Sequence, residues 1–436
     1  MTIKHTRILF KVALCAIIVF QAVACKKDLY DVEQYKKYIE YMSPVDSVDQ
    51  RHEWKLTTYK QFGLKANAAE NIKKVMLLDA NPLTSRSVNV LNQAGISDGE
   101  TLWLAASVPY ILTTVYAALV DENGRYYVTS FPASQTDVIS FSNAISGIPT
   151  NLTLNPQTYT YCYEKDIPLV DDYDYNDLVI RLGLSKDPEQ PTQVTLQLTV
   201  VAVGCTTQMA AFVRMPYYNI NDIESVITAD GKTFNDDLPD GSKHLIDKTD
   251  ILQSDHNSTD AVICLFADAH WAMDNRLESS PNYGSISRKN YNVKMDYSID
   301  EMDKYDVKAY RKQSYIITFK NAQMATDLTL EDIDPFIVTI YNSARYETHL
   351  DRYKTAQTLY DYKLELKIKD LPWALMVPSE NFAHPLEGVQ IGFRKHTDSG
   401  TAFNDGAYKE FGEWVENCEA YFDWYKYPNK NLVWEF

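Results

Sequence analysis

YEKDIPLVDDYDYNDLVIR, residues 163–181, packs Asp171, Asp172, Asp174, Asn176 and Asp177 into one short stretch and runs at once into Leu178, Val179 and Ile180. The apolar triplet reads as the start of a buried strand, so the acidic cluster is the connection that delivers the chain into a sheet. Two physical readings of the cluster stand side by side. Asp and Asn make turns by bonding nearby backbone, so Asp174 and Asn176 would hold loop amides and Asp177 would cap the entry into the strand. In an extended loop the oxygens of Asp172, Asp174 and Asn176 also fall on one side, as a hard cation such as Ca²⁺ requires, with Asp177, Asp171 or Glu164 closing the site. The first three match positions one, three and five of an EF-hand loop, but the sixth position is Asp177 rather than Gly and the twelfth is Gly183 rather than Glu. An EF-hand is therefore excluded, and a Ca²⁺ site here belongs to a β-loop. Tyr173 and Tyr175 alternate with the acids and are expected to point away from them, exposed, as a partner contact.

Upstream, residues 54–155 carry strand patterns without a convincing long helix. VMLLDANP (75–82) reads as a strand ending in a turn. Residues 115–120 and 125–128 flank Asp121-Glu122-Asn123-Gly124, the signature of a hairpin. This part is read as a small antiparallel sandwich. Downstream, residues 194–203 alternate apolar and polar side chains, and 261–266, 315–319 and 336–341 are further strands. Residues 362–369 alternate most cleanly of all. Long polar loops are expected over 219–260 and 274–305. Near the end the period changes: Tyr408, Phe411, Trp414, Val415 and Cys418 share one helical face, although Gly412 weakens the helix. The fold class is thus mainly β: two antiparallel β-sandwich-like domains with long loops, a short N-terminal helix and a C-terminal helix. The expected division is 1–24, 25–53, 54–155 and 156–436.

The first of those segments is a processing signal. Lys4, Arg7 and Lys11 precede a short apolar run, residues 12–20, too short for a stable membrane span. Ala22-Val23-Ala24-Cys25 resembles a bacterial lipobox, which makes Cys25 the lipidated residue and residues 1–24 a lipoprotein signal peptide. Lys26 next to it is compatible with sorting to the outer membrane. Residues 28–42 place Val32, Tyr35, Ile39 and Met42 on one helical face, a tether between anchor and body. Asp46-Ser47-Val48 is a weak match to a short O-glycosylation signal. The net charge is −17, and removal of residues 1–24 takes away Lys4, Arg7 and Lys11, leaving −20. So acidic a chain lacks the Lys and Arg surplus that phosphate backbones demand, which argues against nucleic acid as a partner. The remaining cysteines, Cys162, Cys205, Cys264 and Cys418, show no metal-ligand spacing; a disulfide and buried free thiols both stay open.

Several short marks recur in one order: Tyr163-Glu164, Asp174-Tyr175-Asn176-Asp177, Asp268-Ala269-His270, the run 345–350, Leu371-Pro372-Trp373-Ala374, Pro385-Leu386-Glu387 and Asp423-Trp424-Tyr425. In this order, over about residues 160–428, they resemble the LruC-domain family of exported lipoproteins of Bacteroides-type bacteria. The resemblance implies an anchored, mainly β envelope protein and no established enzyme activity. Related acidic loops often begin Phe-Glu-Asp; here Lys165 stands third, which weakens that ligand.

Catalytic signals are weak. There is no His-Glu-x-x-His and no Gly-x-Ser-x-Gly. Glu347 and His349 are spaced to lie on one side of a strand, as a structural ion pair, a metal or binding site, or an acid–base pair. His270 beside Trp271 is expected to be a packed loop residue. With 31 Tyr and 7 Trp the chain can fill cores or stack on sugars; Trp373, Trp414 and Trp424 sit among apolar neighbours and are read as core. The first functional expectation is a non-catalytic surface module, anchored in the membrane through its lipid, that binds a glycan or a surface protein with an adhesion-like role. The alternative is a structural envelope protein bracing a partner assembly through an apolar patch or open sheet edge. Last comes a glycan-directed hydrolase, which requires a deep cleft with convergent acids.

Overall fold

A computed structural model describes residues 43, 45, 47–165, 173–205, 207–236, 250–273, 311–341, 344–353, 371–392 and 406–434. The first sandwich uses β1 (Thr57–Lys65), β2 (Ile72–Leu78), β3 (Ser87–Gly95), β4 (Thr101–Pro109), β5 (Thr114–Asp121), β6 (Tyr126–Pro132), β7 (Ile139–Ser140) and β8 (Ile145–Gly147). Sheet β4-β1-β7 faces sheet β3-β2-β5-β6-β8. Alternate side chains turn inward, so Phe62, Leu64, Leu104 and Ala106 of one sheet meet Val75, Leu77, Ala117 and Leu119 of the other. The β5–β6 hairpin forms where Asn123-Gly124 predicts it. Asp121 Oδ1 accepts the amides of Asn123 and Arg125, and Gly124 takes a φ of 73°.

The second sandwich is built from β9 (Thr153–Tyr163), β10 (Leu178–Lys186), β11 (Gln193–Val203), β12 (Ala210–Asn219), β13 (Ile223–Thr228), β14 (Leu252–Ser254), β15 (Asp260–Phe266), β16 (Arg311–Phe319), β17 (Asp334–Tyr341), β18 (Ala344–Thr348) and β19 (Ala374–Val377). Sheet β13-β16-β11-β10-β9, with β19 also on β9, faces sheet β14-β15-β12-β17-β18. Tyr161, Ile180, Leu196 and Leu198 point into this core against Val213, Ile263, Leu265 and Ile337. Short helices α1 (Ala269–Met273) and α2 (Ala322–Asp327) follow β15 and β16, and α3 (Lys409–Glu416) lies near the C-terminus where the change of period predicts it. The chain is thus mostly β with few helices, as its alternation implies.

Two features differ from expectation. The boundary expected between 155 and 156 falls inside β9. The first residues of β9 pair in parallel with β3 (Val90 opposite Pro156), and the remainder pairs antiparallel with β10 (Leu184 opposite Gln157). One 11-stranded sheet therefore runs through both sandwiches. Within the expected loop 219–260, Val226 and Ile227 pair with Ile317 and Ile316, so β13 is an edge strand of that sheet. The tether helix at 28–42, the strand at 362–369 and the loop 274–305 lie outside the described residues.

The outer face of the second sandwich carries a third layer. Cys162, Val179, Val201, Leu375 and Val377 are covered by Phe382, Tyr408, Phe411, Trp414 and Trp424. Val45, Trp54 and Leu56, near the start of the described chain, join this cap rather than the first sandwich. The Asp49 amide donates to Val415 O at 2.9 Å, and Arg51 pairs with Glu419 at 3.0 Å. The end of the tether is thereby held against the C-terminal cap.

Candidate functional site

The acidic loop joins β9 to β10 beneath this cap. Asp174 Oδ1 accepts the Asn176 amide at 3.1 Å, and its Oδ2 accepts the Gly388 amide at 2.9 Å. Asn176 Nδ2 donates to Pro385 O at 3.1 Å. Asp177 Oδ2 accepts the Lys165 amide, while Asp177 O accepts the Gly204 amide at 2.9 Å. Glu164 Oε1 accepts the Tyr175 amide, and the Glu164 amide donates to Trp373 O at 2.9 Å. Glu164, Asp174, Asn176 and Asp177 are all buried. Asp174 thus accepts a loop amide as the structural-turn reading has it, whereas the Asn176 side chain donates to a carbonyl instead, and Glu164 and residues 173–176 are tied to residues 372–391. Asp171 and Asp172, two of the six expected Ca²⁺ ligands, lie outside the described residues, as does Cys25. Among the described residues no group of three or more His, Cys, Asp or Glu is arranged to hold a metal ion.

Tyr173 and Tyr175 correct the expectation of exposed partner contacts. Both are buried, Tyr175 completely. The expectation assumed an extended loop, in which neighbours alternate sides. Instead φ is 57° at Tyr173 and 54° at Tyr175, so the backbone there is left-handed rather than extended and the two-residue alternation does not apply. The Tyr175 hydroxyl donates to Pro372 O at 2.6 Å, and its ring packs 6.4 Å from that of Phe411; Tyr173 O accepts the Ile391 amide at 2.9 Å. Such conformations cost roughly 1–3 kcal/mol each, and the buried contacts offset that cost.

Glu347 and His349 do pair. His349 Nε2 lies 3.3 Å from Glu347 Oε2, and its Nδ1 lies 2.7 Å from Asp334 Oδ2. Arg214 reaches the same Asp334 oxygen at 2.9 Å, Arg345 holds Glu347 at 2.7 Å, and Phe336 stacks on the imidazole at 4.5 Å. Burial alone would push His349 down, yet the two carboxylates hold it up to about 9. Burial likewise opposes the charge of Glu347, but its bond to His349 and the Arg345 guanidinium bring it down to about 2. This is an interlocked, buried ion network on β17 and β18. His270, on α1, is also buried; its Nε2 lies 2.8 Å from Cys205 O. Cys162, Cys205, Cys264 and Cys418 are free thiols, and the first three are buried.

A model of the family described as "Domain of unknown function (DUF4842)" matches residues 190–425. The chain belongs to the DUF4842 family. The DUF4842 span holds the ion network, α3 and most of the cap; the acidic loop and the first sandwich precede it. The LruC resemblance, read over 160–428, covers a similar part of the chain. A solved structure described as "Putative lipoprotein from Bacteroides ovatus" is similar to this chain at a TM-score of 0.47 and 14% identity, covering 84% of this chain and 99% of that one. No curated protein matches. Among the described residues no helix is long and apolar enough to cross a membrane.

Outside the DUF4842 span lies a feature that the sequence reading missed. Trp103 and Gly63 are direct partners across β4 and β1, on the outer face of the first sandwich. A Cβ at Gly63 would stand 3.0, 3.1 and 3.1 Å from Cζ2, Cε2 and Cη2 of Trp103, so the indole lies over the glycine with no side chain beneath it. Trp103 remains 46% exposed. Tyr59 lies on the same face four residues before Gly63 and is 43% exposed; its hydroxyl accepts Gln61 Nε2 at 2.9 Å. At about 3.4 Å per residue the two aromatic positions stand roughly 14 Å apart along the strand. The signal was present in TLWLAASVP (101–109), where Trp103 occupies the wet phase between Leu102 and Leu104. Its partner Gly63, however, is visible only once the register is known.

Proposed function

We propose that this protein is a lipid-anchored cell-envelope protein of the outer membrane whose first sandwich binds glycans, without catalysis, on the face carrying Trp103 and Tyr59. The supporting observation is the indole laid over Gly63: a wide, flat, half-exposed aromatic surface suits the apolar face of a sugar ring, and Gln61, Lys65 and Thr101 beside it are exposed and polar. The Trp103–Tyr59 separation suits an oligosaccharide rather than a single sugar. The bracing alternative draws on open edges, but the β4 edge is capped: Ala105 O accepts Asn92 Nδ2 and Ser107 O accepts Gln157 Nε2, each at 2.7 Å. Anchoring rests on the lipobox at Cys25 and on the LruC resemblance. Screening residues 26–436 on immobilised bacterial and host glycans tests the binding. Retention should fall at least tenfold, about 1.4 kcal/mol, in Trp103→Ala. Gly63→Val, which pushes the ring off its seat, should weaken it as well while the fold stays intact. Retention that survives both substitutions would refute the assignment.

The reading includes a Ca²⁺ ion at the acidic loop, held by oxygens of Asp172, Asp174, Asn176, Asp177, Asp171 and Glu164. What favours it is that three buried carboxylates, Glu164, Asp174 and Asp177, fall on both flanks of residues 171–172, so that oxygens of the hard-cation type are gathered in one connection. Saturation at about 100 times the dissociation constant stabilises a fold by roughly 2.7 kcal/mol. Thermal unfolding in millimolar Ca²⁺ should therefore give a higher midpoint than in chelator, and Asp174→Ala should abolish the difference. Superimposable curves in Ca²⁺ and chelator would contradict a bound ion.

A further inference from the structure

Where β9 exchanges its partner β3 for β10, the sheet opens into a cavity of about 230 Å³ lined by β3, β9, β10 and residues 328–330. Leu91, Leu154, Leu184, Leu328 and Leu330 supply its apolar wall; Asn, Gln, Ser and Thr side chains line much of the rest, and two polar groups are left incompletely used. Lys186 reaches in from the last position of β10. Its ammonium donates to Asn92 Oδ1 at 3.0 Å and to Thr326 O at 2.6 Å, at the end of α2. Two of its three protons are thus taken, both by neutral oxygens, and among the described residues no carboxylate pairs with it. Gln93 donates its Nε2 to Lys186 O, while its Oε1 is buried without a hydrogen-bond partner. A buried acceptor left unmade is costly, as is a buried cation whose direct hydrogen-bond partners are all neutral. The cavity therefore presents one cationic donor and one open acceptor beside an apolar wall.

We propose that this cavity binds a small organic acid with an apolar body and a hydroxyl or amino group next to its carboxylate. The carboxylate lies on Lys186 Nζ, the neighbouring donor on Gln93 Oε1, and the body against Leu154, Leu184 and Leu330. Charge complementarity selects the class: Lys186 offers a cationic donor for a carboxylate, Gln93 Oε1 a buried neutral acceptor for a hydroxyl or amine, and the leucines an apolar face for the body. Burial pushes the free Lys186 amine down to about 7, against the pull of Asp327 and Asp332, so an anion that restores its charge relieves a cost already present in the fold. The site is separate from the Trp103 face, and Trp103→Ala should leave it unchanged.

The probe is 2-hydroxy-4-methylpentanoate, titrated calorimetrically into residues 26–436, with its uncharged amide as control. Saturable binding of the acid is expected. It should weaken at least tenfold in Lys186→Met and for the amide, and several-fold in Gln93→Leu. Should Lys186→Met fail to fold, the acid-against-amide comparison on the wild type and the Gln93→Leu variant still decide. Absence of saturable binding to the folded wild type overturns the proposal, as does equal affinity for acid and amide or equal affinity of wild type and Lys186→Met.

Discussion

Trp424→Ala is expected to destabilise the protein by about 3–5 kcal/mol, the cost of emptying a large aromatic site in a core. Trp424 has no solvent exposure and is the hub of the cap. Its ring lies 5.0 Å from Phe411, 5.2 Å from Tyr408, 5.7 Å from Trp414 and 5.9 Å from both Phe382 and Tyr425. Four of those five contacts are edge-to-face and one is stacked, geometries that add to the burial itself. The indole nitrogen is buried and makes no hydrogen bond, so Trp424→Phe loses volume but no polar partner and should cost much less than Trp424→Ala. Because the cap also covers Val179 and Leu375, the Ala variant should expose the outer face of the second sandwich. Denaturant unfolding followed by near-ultraviolet circular dichroism checks both variants. Equal midpoints for Trp424→Ala and wild type would mean that the cap is not part of the cooperative core.

Glu331→Ala is expected to cost a similar amount, about 3–5 kcal/mol, through charge rather than volume. Glu331 Oε2 pairs with Arg352 Nη1 at 2.6 Å, with both side chains nearly buried. Its Oε1 accepts the hydroxyls of Thr57 and of Ser107, the latter at 2.9 Å, and its main-chain oxygen accepts the Tyr353 hydroxyl. Thr57 and Ser107 belong to β1 and β4, whereas Glu331 and Arg352 belong to the second sandwich, so a single carboxylate ties the two together. Its removal strands a buried guanidinium and two hydroxyls at once. Replacing Glu331 and Arg352 together by Leu should recover much of the loss, since the penalty lies in the unpaired charge. The single variant should also loosen the coupling between the sandwiches, so that two unfolding steps separate where the wild type shows one. A loss below 1 kcal/mol would show that the pair is effectively solvated.

Much of this architecture is legible in the sequence because period-two alternation in residues 194–203 and the Asn123-Gly124 turn are local signals. The helix at the C-terminus is equally local: Tyr408, Phe411, Trp414 and Val415 are buried, whereas Cys418, expected on the same face, lies beyond the end of α3 and is half-buried. The acidic loop was legible as a turn that enters a strand. The inward rotation of Tyr173 and Tyr175 was not, because left-handed backbone at a tyrosine is fixed by tertiary bonds to Pro372 and Ile391. The passage of one sheet through both sandwiches depends on the pairing of Val90 with Pro156, which no local pattern announces. The same holds in part for Trp103. The wet phase of Trp103 in its strand is a local signal, but only the register puts glycine opposite it and makes a flat aromatic surface.

The most direct measurement follows the tryptophan side chains themselves. In nuclear magnetic resonance spectra of indole-labelled protein, with the Trp103 signal assigned by its loss in Trp103→Ala, a glycan retained in the screen is titrated in. The Trp103 signal is expected to shift and saturate with the glycan, while those of the buried Trp414 and Trp424 stay in place. A saturating titration that leaves Trp103 unmoved, or that moves the cap indoles instead, would contradict glycan binding at Trp103.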